Sequence, residues 1–323
     1  MSSAPFARTV LGDVDVLELG FCSSHDHVLI GDGLGARANP DLLIDDLDEA
    51  VAEVTAFQEA GGRTLVDAMP LDCGRDPAGL VEVSRRTGVN IIATTGFHTP
   101  KYYEDRHWST SLPVDVIADL LVAEVEQGMD RQSYGGPVID RLEAKAGLVK
   151  VASERDRIGP VTVRLIEAVA ECHRRTGVPV LTHTEHGTMG LQQVELLTGL
   201  GVPADAILLS HVDRNHDRGY HAELASSGAY LVYDGPSRTK YHPPSLVADL
   251  IALACEAGAE KQVLLGMDLA LRSYRVSCGG SPGMGFLPST FRSVLRERGH
   301  TEAAIERFGI HNPGQALSMR RAA

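Results

Sequence analysis

Along this chain short apolar, β-branched runs recur, and each is followed by a turn and then a stretch with apolar residues at helical spacing. Eight runs stand out: "GFCSSHDHVLI", "GRTLVDAMP", "GVNIIATTGF", "AGLVKVAS", "GVPVLTHTE", "DAILLSHVD", "GAYLVYDG" and "KQVLLGMD". Near-continuous apolarity in a strand implies burial on both faces, the mark of a parallel sheet covered or wrapped by helices. Intervening segments such as "DLDEAVAEVTAFQEAG", "PAGLVEVSRRTG", "VTVRLIEAVAECHRRTG" and "SLVADLIALACEAGAE" are amphipathic and carry a terminal glycine suited to the position after a helix.

Eight β-then-α units predict an α/β protein built as a closed parallel (β/α)8 TIM barrel. An open doubly wound sheet is the alternative, but no GxGxxG follows the first run and no GxxxxGK[ST] occurs, so its nucleotide-binding forms lose their support. No Pro- or Ser-rich linker divides the chain, so residues 1–323 are expected to form one barrel, with 1–20 a short N-terminal extension. Segment 98–145 is long for a β/α connection and holds the only tryptophan, Trp108, while "CGGSPGMGFLP" at 278–288 follows the eighth run. On this scaffold such loops carry function, because the strand C-termini carry the chemistry.

Composition acts mainly by exclusion. The net charge of −13, with no concentration of Lys and Arg, argues against nucleic acid, which needs clustered cations to release counterions. Five cysteines, at 22, 73, 172, 255 and 278, form no CxxC pair and suit reduced thiols in a cytosol. No run reaches the roughly 18 apolar residues of a membrane span, and the N-terminus lacks the basic and apolar regions of a signal peptide. The expectation is a cytoplasmic protein without membrane contact, and symmetry statistics make a homodimer the default.

The unusual polar residues then fall into one pattern. His25 and His27 end the first run, Lys150 the fourth, His183 the fifth, His211 the sixth and Asp268 the eighth, all at the barrel end that carries active sites. Residues two apart on a strand project from the same side of the pleat, so the HxH pair can bite one ion. Imidazoles and carboxylates suit Zn²⁺ or a similar divalent cation, and four histidines with an aspartate exceed one closed tetrahedral site, so two metals are the economical reading. A lysine ending a core strand must otherwise snorkel to water.

This arrangement resembles the phosphotriesterase family, part of the amidohydrolase superfamily of metal-dependent barrel hydrolases. The likeness rests on "SSHDH", "AGLVKVAS", "TGVPVLTHT", "LLSHVD" and "LGMD", with "HNPGQAL" similar to the family's closing helix. It implies two divalent ions, Zn²⁺ or else Mn²⁺, Co²⁺ or Fe²⁺, bridged by Lys150 carboxylated on its terminal nitrogen. By the same resemblance His25, His27 and Asp268 hold the buried ion and His183 and His211 the exposed one. A bridging hydroxide attacks, and Asp268 is the catalytic residue that takes its proton. The carboxylation is chemically reasonable, since burial favours the neutral amine that reacts with CO₂.

The loops decide the substrate. In organophosphate-hydrolysing members a histidine follows the seventh-strand aspartate; here Gly235 follows Asp234. Lys240 in "SRTKY" and Arg272, Tyr274 and Arg275 in "DLALRSYRVSCGG" resemble the loops of members that open phosphorylated sugar lactones, and are the candidate phosphate contacts. As isolated charges they read equally well as solvated side chains. His98 with Tyr102 or Tyr103, and Glu185 with His186, are candidates for the lactone carbonyl or sugar hydroxyls, and Asp213 for a hydrogen bond to a ligand histidine or to Asp268. The leading reading is therefore a binuclear lactonase whose small-molecule partner is a phosphorylated furanose lactone. The alternatives are a phosphotriesterase (aryldialkylphosphatase), an acyl-homoserine-lactone lactonase, or a barrel that binds without catalysis.

Overall fold

The computed structural model describes residues 5–319; the first four residues of the expected N-terminal extension and the last four of the chain lie outside the described residues. The extension begins as an antiparallel hairpin, β1 (Phe6–Thr9) and β2 (Gly12–Asp15). Each of the eight predicted runs then carries a strand: β3 (Cys22–Asp26), β4 (Thr64–Asp67), β5 (Asn90–Gly96), β6 (Leu148–Ser153), β7 (Val180–Thr184), β8 (Ile207–Ser210), β9 (Tyr230–Tyr233) and β10 (Val263–Leu265). They form one parallel sheet in chain order. It closes where the amides of Met267 and Asp268 both donate to the carbonyl of His25, at 3.0 and 3.1 Å. The architecture is the (β/α)8 barrel that the alternation predicts.

The connecting helices begin and stop where local chemistry dictates. Asp46 caps Leu47–Glu59 by accepting the amides of Asp48 and Glu49, each at 2.9 Å. Pro77–Thr87 and Pro160–Thr176 open on proline and end on Gly88 and Gly177, whose φ of 70° and 72° only glycine adopts without strain. Inside the barrel, Cys22, Val66, Ile92, Leu148, Leu181, Leu208, Val232 and Leu264 fill the lower half, and Ala7, Val16 and Leu19 of the hairpin segment join them from below. The hairpin is tied there by Val10 N–H to Ile91 O at 2.8 Å and by Met319 N–H to Phe6 O at 2.9 Å. The lower end is thus plugged, and only the end bearing the strand C-termini is left for chemistry.

Segment 98–145 proves to contain the helix between β5 and β6, Val114–Glu126, preceded by two short turns. Trp108 packs edge-on to Phe97 and Tyr134, with ring centroids 5.6 and 6.0 Å away. Below it Arg75 and Glu124, both buried, form a two-pronged ion pair at 2.5 and 3.2 Å, and Glu124 also accepts the Asp130 amide at 2.8 Å. Removing one member of such a pair leaves the other charge buried and uncompensated. Glu124→Gln is therefore expected to destabilise the protein by about 3–5 kcal/mol, and Arg75→Met combined with it to recover part of that loss, both read from denaturant-unfolding midpoints.

Candidate metal centre

At the open end the strand termini deliver His25 and His27 from β3 and the residues after it, Lys150 from β6, His183 from β7, His211 just past β8 and Asp268 just past β10. All six are buried. They line one cavity of about 280 Å³, together with His98 and Tyr102. A larger cavity of about 660 Å³ lies beside the N-terminal hairpin and contains none of these groups.

Two convergent donor sets share His25. In one, His27 Nε2 and His25 Nε2 lie 3.2 and 3.8 Å from the same Asp268 oxygen; in the other, His25 Nδ1 and His211 Nδ1 lie 3.1 and 2.8 Å from the two oxygens of Asp234. His183 Nδ1 stands 2.9 Å from His211 Nε2. Burial pushes the His27 imidazole down to about 4 and that of His211 to about 3, and holds His183 well below its usual value. These rings therefore present lone pairs at neutral pH, and the buried Nε2 of His25 makes no hydrogen bond among the described residues. Neutral imidazoles converging with a carboxylate are the donor set of Zn²⁺ and similar divalent ions, so the residues fit the metal centre that the resemblance implies.

Lys150 is 1% exposed, and among the described residues its ammonium donates only to the carbonyl of Ala68, at 2.8 Å. Burial lowers it to about 8, so a sizeable share is neutral amine near physiological pH. Beside it Gly96, at φ +94°, lets β5 approach; a Cβ there would lie 2.1 Å from the Lys150 carbonyl oxygen. Burial alone would raise the Asp268 carboxyl, but the guanidinium of Arg238, the imidazoles of His211 and His27, and Arg214 outweigh it and hold the group well below its ordinary value. Both guanidiniums hydrogen-bond the same Asp268 oxygen.

The outer residues divide. His98, Tyr102 and Lys240 line the cavity as expected, the His98 ring lying 4.5 Å from His183 and 4.0 Å from Tyr102. Arg275 departs from expectation: it is 0% exposed and donates to the backbone carbonyls of His27 and Val28, so it does not offer a phosphate contact at the mouth. Arg272 is drawn off by Glu49 at 2.9 Å, and the Tyr274 ring stands 5.9 Å from the Arg238 guanidinium; neither lines the cavity. The reason is shared. The loop after β10 is sewn to Leu47–Glu59, Glu53 accepting the amides of Ser277 and Met284 at 2.9 and 2.7 Å.

Glu185 likewise turns away, pairing with Lys101 and accepting the Arg155 amide, and it does not line the cavity. Among the described residues Asp213 hydrogen-bonds neither a histidine of the cluster nor Asp268; it accepts the amides of Asp234 and Gly235 at 3.2 and 2.9 Å. Asp234 takes the role expected of Asp213 by orienting His211 and His25. The sequence reading missed Arg214 and Arg238, which face the cavity. Their signal was position alone, three residues after His211 and four after Asp234.

A model of the phosphotriesterase family matches residues 6–317. The chain is 35% identical over 324 residues to a phospho-furanose lactonase of Mycoplasmopsis synoviae, covering 97% of this chain and 92% of that protein. Among solved structures it is similar to an amidohydrolase from Mycoplasma synoviae, with TM-score 0.96 and 33% identity over 99% of this chain and 94% of that one. A lactonase from Listeria monocytogenes gives TM-score 0.90 and 30% identity over 98% and 99% of the two chains. With the family model matched over nearly the whole length and relatives of this identity and fold, the chain belongs to the phosphotriesterase family of hydrolases.

Proposed function

We propose that this hydrolase is a lactonase that opens a phosphorylated furanose lactone at a two-metal centre. One observation carries the choice of substrate: the cavity that holds the histidine cluster is also lined by Arg214, Arg238 and Lys240. Lys240 makes no ion pair among the described residues and rests over the Tyr241 ring at 5.0 Å, a free cation at the mouth. Cations beside a hydrolytic cluster suit a dianionic phosphate tail, whereas a neutral organophosphate or acyl chain would favour apolar walls. The likeness to a phospho-furanose lactonase at 35% identity supports the same substrate class.

In this reading His25, His27 and Asp268 would hold one divalent ion, His183 and His211 the other, and Lys150 would serve both. Divalent ions bound there supply Lewis-acid polarisation of the ester carbonyl and an activated water near neutral pH. Lys150 would serve them as a carbamate: its ammonium first gives one proton to solvent, the neutral amine attacks CO₂, the N–C bond forms as a C=O π bond opens onto oxygen, and a second proton leaves the nitrogen, so that a cation becomes an anion suited to two cations. Asp268, kept ionised by Arg238 and Arg214, takes the proton of the attacking water on a carboxylate oxygen. It returns that proton to the ring oxygen when the lactone C–O bond breaks. His98 and Tyr102 orient the sugar, and Lys240 holds the phosphate in a pocket made cationic by Arg238 and Arg214.

Two outcomes follow. On paired furanose lactones with and without the phosphate, Lys240→Ala is expected to lower kcat/KM for the phosphorylated substrate by about 10- to 100-fold, the worth of one charge-assisted contact, and to spare the unphosphorylated one, whereas Arg238→Ala is expected to lower both, because Arg238 also pairs with Asp268. Equal wild-type rates on both lactones, or a faster rate on paraoxon, would remove the phosphate reading. Secondly, activation of metal-stripped enzyme by Zn²⁺ is expected to need CO₂ and, at constant dissolved CO₂, to quicken as pH rises through about 8, because deprotonation of Lys150 yields the reactive amine. Activation independent of CO₂ would exclude the carbamate.

A further inference from the structure

Arg275 is the largest fully buried side chain among the described residues, and the reaction as proposed makes no use of it. Burying a guanidinium is costly unless its donors are taken up, so its acceptors reveal what it does. Nη1 donates to the Val28 carbonyl at 3.0 Å and Nη2 to the His27 carbonyl, while the buried Nε has no hydrogen-bond partner among the described residues. The carboxylates of Asp26, Glu53 and Asp67 lie near enough to act on its charge.

The same carboxylates hold the other side of that stretch. Asp26 accepts the amides of His27 and Leu269 at 3.0 and 3.1 Å, and Asp67 accepts the Val28 amide at 2.7 Å. The peptide unit after His27 is therefore held on both sides, its amide by Asp67 and its carbonyl by Arg275; the unit before it has its amide on the Asp26 carboxylate, and the Val28 carbonyl beyond is held by Arg275 as well. The His27 imidazole leaves that backbone to reach 3.2 Å from Asp268. A small rotation of the His27 carbonyl would carry the ring out of its set.

We propose that Arg275 is a positioning residue of the metal centre: by holding the His27 and Val28 carbonyls it aims the His27 imidazole at the ion shared with His25 and Asp268. It thereby sets metal affinity rather than phosphate affinity. This rests on the metal-centre reading given above. Partners one bond removed from a metal ligand typically contribute 10- to 100-fold in affinity.

The test measures zinc affinity by competition with a chromophoric chelator, alongside the thermal midpoint of the metal-stripped protein. Wild type is measured first; if it takes up no zinc, the metal centre and this inference both fall. If it binds, Arg275→Met is expected to weaken zinc by about 10- to 100-fold and Arg275→Lys, which keeps the charge and can reach one carbonyl, by less. A purely structural role would lower the midpoint of the stripped protein and leave zinc affinity at the wild-type value, and that result overturns the proposal. Failure of both variants to fold does so too, since Arg275 would then serve the fold as a whole.

Discussion

One carbonyl, that of His25, accepts the amides of both Met267 and Asp268, and on this contact the barrel and its chemistry both depend. It joins the first barrel strand to the last, and the same few ångströms bring His25, His27 and Asp268 to one point. The approach leaves no room for a side chain: a Cβ on Gly266 would lie 2.9 Å from the Asp234 Cβ and 3.0 Å from the His25 oxygen. Donors far apart in sequence thus meet only once the sheet has closed. The loop-closure entropy of that meeting is met by the whole barrel core, not by the site.

Burial at this end has opposite effects on its two kinds of ionisable group, and the chemistry needs both. Loss of water favours neutral imidazole, so His27, His183 and His211 keep their lone pairs. It would equally favour a protonated carboxyl, and it pushes Asp26 up to about 7 and Asp67 up to about 6, each eased by backbone amides. Asp268 escapes because Arg238 and Arg214 are set against it. One desolvated pocket therefore holds uncharged bases beside an ionised acid, which a uniformly apolar or uniformly wet site could not do.

How much of this was legible in the sequence follows from which forces are periodic. The eight strands were readable because parallel strands buried on both faces are apolar throughout, and the meeting of the strand-end histidines with Lys150 and Asp268 because every such strand ends at the same rim. Which cations face the cavity was not readable. Arg272 and Arg275 share a loop with the eighth-strand aspartate, yet Glu49 and the buried carboxylates around Asp26 draw them into the wall, while Arg214 and Arg238 arrive from loops with no distinguishing motif. The exchange of Asp213 for Asp234 has the same origin. Either could reach a histidine by spacing, and only the two amides that occupy Asp213 decide.

The backbone at the two cluster residues that follow their strands shows how the directions are held. His211 and Asp268 adopt φ of 64° and 48°, a left-handed conformation that costs non-glycine residues of order 1–3 kcal/mol each and persists only where the surroundings over-determine it. At His211 the over-determination is a single carboxylate: Asp234 accepts the backbone amide on one oxygen at 3.1 Å and the ring Nδ1 on the other at 2.8 Å, fixing chain and side chain together. At Asp268 the amide is held by His25 and the carbonyl by the Arg238 guanidinium, at 2.6 Å. The strain is thus borne by hydrogen bonds within the protein, so the donor directions belong to the fold.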